Sequence, residues 1–166
     1  MSGKVGLFTG SFDPMTLGHR DVIERASQFF DQLYVGLFYN QDKVGFLPID
    51  QRLTMLVQAV ADLPNVKVIT SQNQLAVEVA RQYGVTHLVR GLRDATDFAY
   101  EENLSVFNHQ LAPELETVFL LSRPEHRHLS SSRVRELIHF KQDISRYVPA
   151  NIITEMEKNN GKTKKA

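Results

Sequence analysis

The chain has 166 residues, 19 Lys plus Arg against 19 Asp plus Glu, no cysteine, and 42% hydrophobic residues. That length fits one compact domain with a single core, and the charge balance leaves no overall field to draw it to nucleic acid or an anionic membrane, so any anion site is local. The lack of cysteine excludes disulfides, thiolate nucleophiles and zinc–thiolate centres, and suits a reducing, cytoplasmic setting.

The apolar run Val5 to Phe8 follows Met1-Ser2-Gly3-Lys4; it is too short for a signal peptide or membrane span and reads as a first strand. The turn-forming Thr9-Gly10-Ser11-Phe12-Asp13-Pro14 comes next. A helix then begins near Gly18-His19, with Val22, Ile23, Ala26, Phe29 and Phe30 on one face. Leu33 to Phe38, Val66 to Ile69, His87 to Val89 and Thr117 to Leu121 read as further strands, alternating with four more helical stretches. Punctuation comes from Pro64 after one helix, Gly84 at the C-terminal cap of another, and Pro113 after a segment in which Tyr100, Leu104, Phe107 and Leu111 share a face. The alternation predicts an α/β fold: a single Rossmann-like domain over residues 1–158, a five-stranded parallel sheet with helices on both faces. Residues 159–166 are polar and basic and are expected to form a disordered tail. Its Gly161-Lys162-Thr163 is not a P-loop, because Met156 stands where glycine is needed and no strand precedes it.

In open α/β sheets ligands bind beyond the carboxyl ends of the strands, and Ser11 to His19 occupies that place after the first strand. Gly10 lets the chain pass close to a ligand, Ser11 offers a hydroxyl, and a helix starting near Gly18 aims free N–H groups at an anion. His19 reads either as a polar cap or as a donor to a phosphoryl oxygen, a role in which developing negative charge favours the protonated ring. The string Gly10-Ser11-Phe12-Asp13-Pro14 followed by Thr16-Leu17-Gly18-His19 resembles the signature of the adenylyl- and cytidylyltransferase superfamily. Thr16, in place of that signature's first histidine, is typical of the phosphopantetheine adenylyltransferase branch. The dinucleotide fingerprint Gly-x-Gly-x-x-Gly is absent from this loop.

Arg90-Gly91-Leu92-Arg93 follows the strand ending at Val89, so two guanidinium groups face the same crevice as His19. They suit a substrate phosphate and an ATP phosphate, or else pair with Asp94, Asp97, Glu101 or Glu102. After the last strand, His126-Arg127-His128-Leu129-Ser130-Ser131-Ser132-Arg133-Val134-Arg135-Glu136 puts three hydroxyls at a helix start. One serine suffices for capping. The residue three beyond Ser132 is Arg135 instead of a capping-box acid, which leaves the hydroxyls freer to meet a ligand. His126 and His128 have no third ligand nearby, and no metal-binding residue is assigned. Both segments are similar to the phosphopantetheine adenylyltransferases, as are Lys43, just past the second strand, and the stretch from Asn108 to Leu120. The resemblance spans nearly the whole chain. Departures are Pro48, which can start but not cap the helix containing Arg52, and Arg133 and Arg135, where a small or apolar residue and a lysine are common.

The resemblance implies reversible transfer of the adenylyl group of ATP to phosphopantetheine, giving dephospho-coenzyme A and pyrophosphate in coenzyme A biosynthesis. The attacking phosphate is already anionic, so direct in-line attack needs positioning and charge stabilisation without a covalent enzyme intermediate. The roles implied are Lys43 and Arg90 on the substrate phosphate and transition state, His19 on the α-phosphate, Arg93 and Ser130 to Ser132 on the ATP phosphates, and Ser11 between the two substrates. Phe12, Gly91, Leu92, Glu101, His126, Arg127, His128 and Leu129 fall to the ATP site, with Glu101 near the ribose, and Leu75 and Ala76 to the pantetheine arm. Magnesium is expected to arrive with ATP, held by phosphates and water. A homohexamer restrained by coenzyme A is implied, with neither nucleic acid nor membrane as partner. A serine hydrolase built on Ser11, Asp13 and His19 lacks the Gly-x-Ser-x-Gly elbow. Thr16 argues against a nicotinate mononucleotide adenylyltransferase or a glycerol-phosphate cytidylyltransferase. Retention of His19, Lys43, Arg90 and Arg93 together argues against a non-catalytic nucleotide-binding module.

Overall fold

The computed structural model describes residues 3–163, with side chains through Lys158. Five strands form on the five apolar runs: β1 (Val5–Gly10), β2 (Gln32–Tyr39), β3 (Val66–Gln72), β4 (His87–Leu92) and β5 (Glu116–Leu121). Between and after them lie α1 (Leu17–Ser27), α2 (Ile49–Ala59), α3 (Ala76–Gln82), α4 (Ala95–Leu111), α5 (Ser131–His139) and α6 (Ala150–Thr163). All strand pairs are parallel, in the order β3-β2-β1-β4-β5.

Strand periodicity of two divides the sheet between two cores. Phe8, Leu33, Val35, Leu37 and Val89 pack with Ile23 of α1, Leu56 of α2, Val134 of α5 and Ile152 of α6. Leu7 and Leu88, one residue out of phase with Phe8 and Val89, pack on the other face with Val77 and Ala80 of α3 and with Ala112 and Leu115 just past α4. Helices therefore cover both faces, as the alternation of elements requires. The chain winds outward through β1, β2 and β3, then α3 carries it across to β4. The carboxyl ends of β1 and β4 consequently flank a crevice at the point where the strand order reverses.

Local chemistry sets the helix ends. Thr16 caps α1, so that helix opens at Leu17, a residue before Gly18. Pro48 starts α2 with no side-chain cap, and Gly84 at φ 63° stops α3. Other boundaries and faces differ from the sequence reading. β4 runs on to Leu92 because Arg90, Gly91 and Leu92 keep pairing with Phe119, Leu120 and Leu121, so those residues are strand and not loop. Phe29 lies beyond the end of α1 and is exposed, while Phe30 turns inward. In α4 only Glu101 is buried; Tyr100 and Phe107 are 68% and 61% exposed, so that apolar face does not cover the sheet. The backbone of α6 continues through Thr163, where a tail without structure was expected, and the rest of that tail, 164–166, lies outside the described residues. No helix of the described residues is long and apolar enough to cross a membrane.

Candidate active site

Two cavities open side by side at the carboxyl ends of the strands. The larger, about 590 Å³, lies over β1, β2 and β3 and includes Ser11, Asp13, Lys43, Arg52, Gln74 and Arg135 in its wall. The smaller, about 300 Å³, fills the crevice between β1 and β4 and includes His19, Arg90, Arg93, Glu101, Ser130 and Ser131. Ser11 lines both.

His19 is the third residue of α1, and its ring is built into the cap. The Thr16 N–H donates to Nδ1 at 3.0 Å, and the His19 N–H donates to Thr16 Oγ1 at 3.3 Å. A backbone N–H always donates, so Nδ1 is an acceptor and the single ring proton sits on Nε2. Burial, then the charges of Arg93 and Arg90, push the His19 pKa down from 6.5 to about 4. The ring therefore rests neutral. Protonation under developing negative charge would displace the Thr16 N–H from Nδ1, whereas the neutral ring already offers Nε2–H to a ligand. Phe12, buried with φ 43°, sets its ring edge-on against His19 at 5.2 Å between centroids. Both residues line the smaller cavity. Among the N–H groups of this helix start, Leu17 donates to the Tyr147 carbonyl and Arg20 to that of Thr16, which leaves Gly18 N–H for a ligand.

The two arginines carry acidic partners from α4. Arg90 donates through Nε and Nη2 to Glu101, both at 2.7 Å, and through Nη1 to Thr9 Oγ1 at 2.8 Å. Arg93 grips Asp97 through Nε and Nη2 at 2.8 and 3.1 Å and reaches the Leu129 carbonyl through Nη1. The hydrogen bond from Arg93 holds the Asp97 carboxyl below its usual value and raises that of the guanidinium. The two arginines are thus ion-paired with two of the four acids available to them, and both line the smaller cavity. Glu101 and Asp97 line the same space, so the charge there is balanced.

Each of the three serines has a structural bond. Ser130 caps α5 by accepting from Arg133 N–H at 3.1 Å, Ser131 donates to the Pro14 carbonyl at 2.8 Å, and Ser132 accepts from Arg135 Nη2 at 3.0 Å. The cap is Ser130, not Ser132. Ser130, Ser131, Leu129, Gly91 and His126 line the smaller cavity, and the N–H groups of Ser131 and Ser132 have no intrahelical carbonyl to meet. Several expected ATP-site residues border other spaces. Leu92 and Arg127 line a groove beside Phe98, His128 lines a pocket on α5 with Tyr147, and Ser132 borders none of these cavities. Among the described residues no three His, Asp or Glu side chains gather as a metal site.

In the larger cavity Lys43 stands on the loop between β2 and α2, joined by Arg52 and Arg135 against the single acid Asp13. Leu75 and Ala76 border neither cavity; Gln74, one residue earlier, turns in with Ser71, its side chain 3.0 Å from the Ser71 hydroxyl. Sequence reasoning gave no role to Asp13, Arg52 or Arg135 in this cavity. Arg135 carried a signal, as a departure from the pattern it resembles; the Asp13–Arg52 partnership carried none.

The cytidylyltransferase-like family model matches residues 7–137. A solved structure described as a candidate nicotinate-nucleotide adenylyltransferase from Vibrio parahaemolyticus superposes with a TM-score of 0.70 over 95% of this chain and 93% of that one. At 18% identity that likeness establishes the fold. The chain is 59% identical over 160 residues to the phosphopantetheine adenylyltransferase of Streptococcus sanguinis strain SK36, covering 96% of this chain and 98% of that one. It is 56% identical over 163 residues to that of Streptococcus pyogenes serotype M5, covering 98% and 100%. With the loop after β1 and the helix starts gathered at the reversal of strand order, and with relatives this similar over nearly their full length, the chain belongs to the phosphopantetheine adenylyltransferases.

Proposed function

We propose that the protein transfers the adenylyl group of ATP reversibly to phosphopantetheine, giving dephospho-coenzyme A and pyrophosphate. The observation that carries this reading is the position of Ser11 in the common wall of two cavities of different charge. The acceptor phosphate lies by Lys43 in the larger cavity, where cations outnumber acids, and the polar Asn73 and Gln74 beside Phe38 and Tyr39 suit an amide-bearing arm. ATP occupies the smaller cavity. His19 Nε2–H and the Gly18 N–H donate to the α-phosphoryl oxygens as charge builds there, while Arg90 spans acceptor and nucleotide, and Arg93 with the start of α5 takes the β- and γ-phosphates. An acceptor oxygen forms one P–O bond as the bond to pyrophosphate breaks, so no residue has to become a nucleophile.

Glu101 and Asp97 are held by arginines, which supports a divalent ion held by phosphate and water ligands. Magnesium bound with ATP would neutralise the leaving pyrophosphate. Coenzyme A carries both the pantetheine arm and the adenylate, which would let it fill both cavities as a feedback ligand. The exposed apolar side chains of α4 are a surface that a homohexamer would cover, and the mass in solution tests that state. A cytoplasmic site of action fits a cysteine-free chain.

Pyrophosphate release with magnesium-ATP, compared among phosphopantetheine, nicotinate mononucleotide and no acceptor, tests the reaction. Release with phosphopantetheine alone is the expected result. Release with nicotinate mononucleotide alone, or with no acceptor, overturns it.

A further inference from the structure

Lys43 stands on a loop whose first half is in water. Gln41 to Val44 are exposed, and their bonds are a local turn on Asn40 and a side-chain contact from Gln72 to Gln41. The second half is fastened by Asp13, 33 and 34 residues before the amides it holds, and by Arg52 on the helix that follows. Asp13 accepts the Phe46 N–H on Oδ2 at 2.7 Å and the Leu47 N–H on Oδ1 at 2.8 Å. Arg52 donates through Nε to the Leu47 carbonyl at 3.0 Å and through Nη1 to the Ser11 carbonyl at 3.1 Å. Carboxylate and guanidinium lie 3.8 Å apart and are almost out of water, the residues being 7% and 5% exposed. Gly45 lies flat against them, and a Cβ there would overlap Arg52 Nη2.

A buried ion pair is a poor source of stability, because losing hydration offsets much of the attraction. The partners of this one point to another role. Every hydrogen bond these two side chains make goes to the backbone of the loops bordering the larger cavity. We infer that Asp13 and Arg52 are positioning residues for Lys43, tying its loop to Ser11 so that the ammonium meets the acceptor phosphate without having to be ordered at each turnover. This rests on the proposed transfer reaction and extends it to two residues that touch no reacting atom.

The test combines amide hydrogen exchange on the full chain with a double-mutant cycle. Asp13→Asn should speed exchange at Phe46 and Leu47 by about tenfold or more and leave the strand amides unchanged. It should lower kcat/KM for phosphopantetheine by about tenfold, with the ATP Kd moving less than about twofold. In a Lys43→Ala background the same change should cost less than about twofold, since the residue it acts through is gone. Arg52→Lys, which keeps the charge and loses the fork, should follow the same pattern and serves if Asp13→Asn folds poorly. Losses that simply add in the Lys43→Ala background, or unaltered exchange at Phe46 and Leu47, overturn the inference. Should the unaltered chain release no pyrophosphate with phosphopantetheine, the exchange arm still decides whether the pair anchors the loop, so the two failures are told apart.

Discussion

The two cavities share one wall and differ in charge. The larger sets Lys43, Arg52 and Arg135 against Asp13 alone; in the smaller, Arg90 and Arg93 are matched by Glu101 and Asp97, and His19 is neutral. A bare phosphate entering the first gains attraction that Asp13 offsets only in part. An anion entering the second has to take over hydrogen bonds already made, which favours one that brings its own cation. A chain with no net charge can therefore build two cavities of different charge a few residues apart.

The largest expected effect probes the neutral donor on the balanced side. His19→Ala should lower kcat by about 10² to 10³, with the ATP Kd within a few-fold, because the donated bond strengthens only as charge develops. Equal losses in binding and rate would erase the difference assigned to this cavity. Next comes pH. The folded pKa of His19, about 4, lies below its usual 6.5, so as pH falls the unfolded chain takes up the proton first. The stability this residue contributes is present in full above pH 6.5 and is lost as pH drops towards 4, by at most about 3 kcal/mol. Urea midpoints across that window should fall more steeply for the unaltered chain than for His19→Gln, and parallel slopes would refute the neutral ring.

Lys43→Ala should lower kcat/KM for phosphopantetheine by about tenfold or more while leaving the ATP Kd within about twofold. If both ligands suffer alike, the cavities are not separate sites. The smallest effect is on salt. Between about 50 and 200 mM salt, phosphopantetheine affinity should drop several-fold and magnesium-ATP affinity about twofold or less, measured calorimetrically. The reverse order would place the uncompensated charge on the wrong side.

Features set by neighbours in the chain were legible in the sequence. The five strands could be read because a parallel sheet buried on both faces needs near-continuous apolar runs, and the loop from Gly10 to His19 because its parts are adjacent. Features set by pairing across the fold were not. The end of β4 depends on how far β5 keeps pairing with it. That Arg90 takes Glu101 while Arg93 takes Asp97 was a choice among four acids that only geometry makes. Asp13 and Arg52 meet because a turn and a helix separated by the whole of α1 and β2 converge. Leu75 and Ala76 form the cap and first residue of α3 while Gln74, just before them, turns into the larger cavity, a division that depends on where the helix starts. The apolar row of α4 has correct helical spacing, but spacing cannot say whether water or protein lies opposite.

Because Ser11 lines both compartments, the proposed transfer would bring the incoming oxygen to the reacting phosphorus on one side of that residue while pyrophosphate leaves on the other. A centre exchanged once in that way turns over like an umbrella. ATP made chiral by sulfur at its α-phosphorus should therefore yield product of inverted configuration, and retention would demand two successive displacements in a site laid out for one.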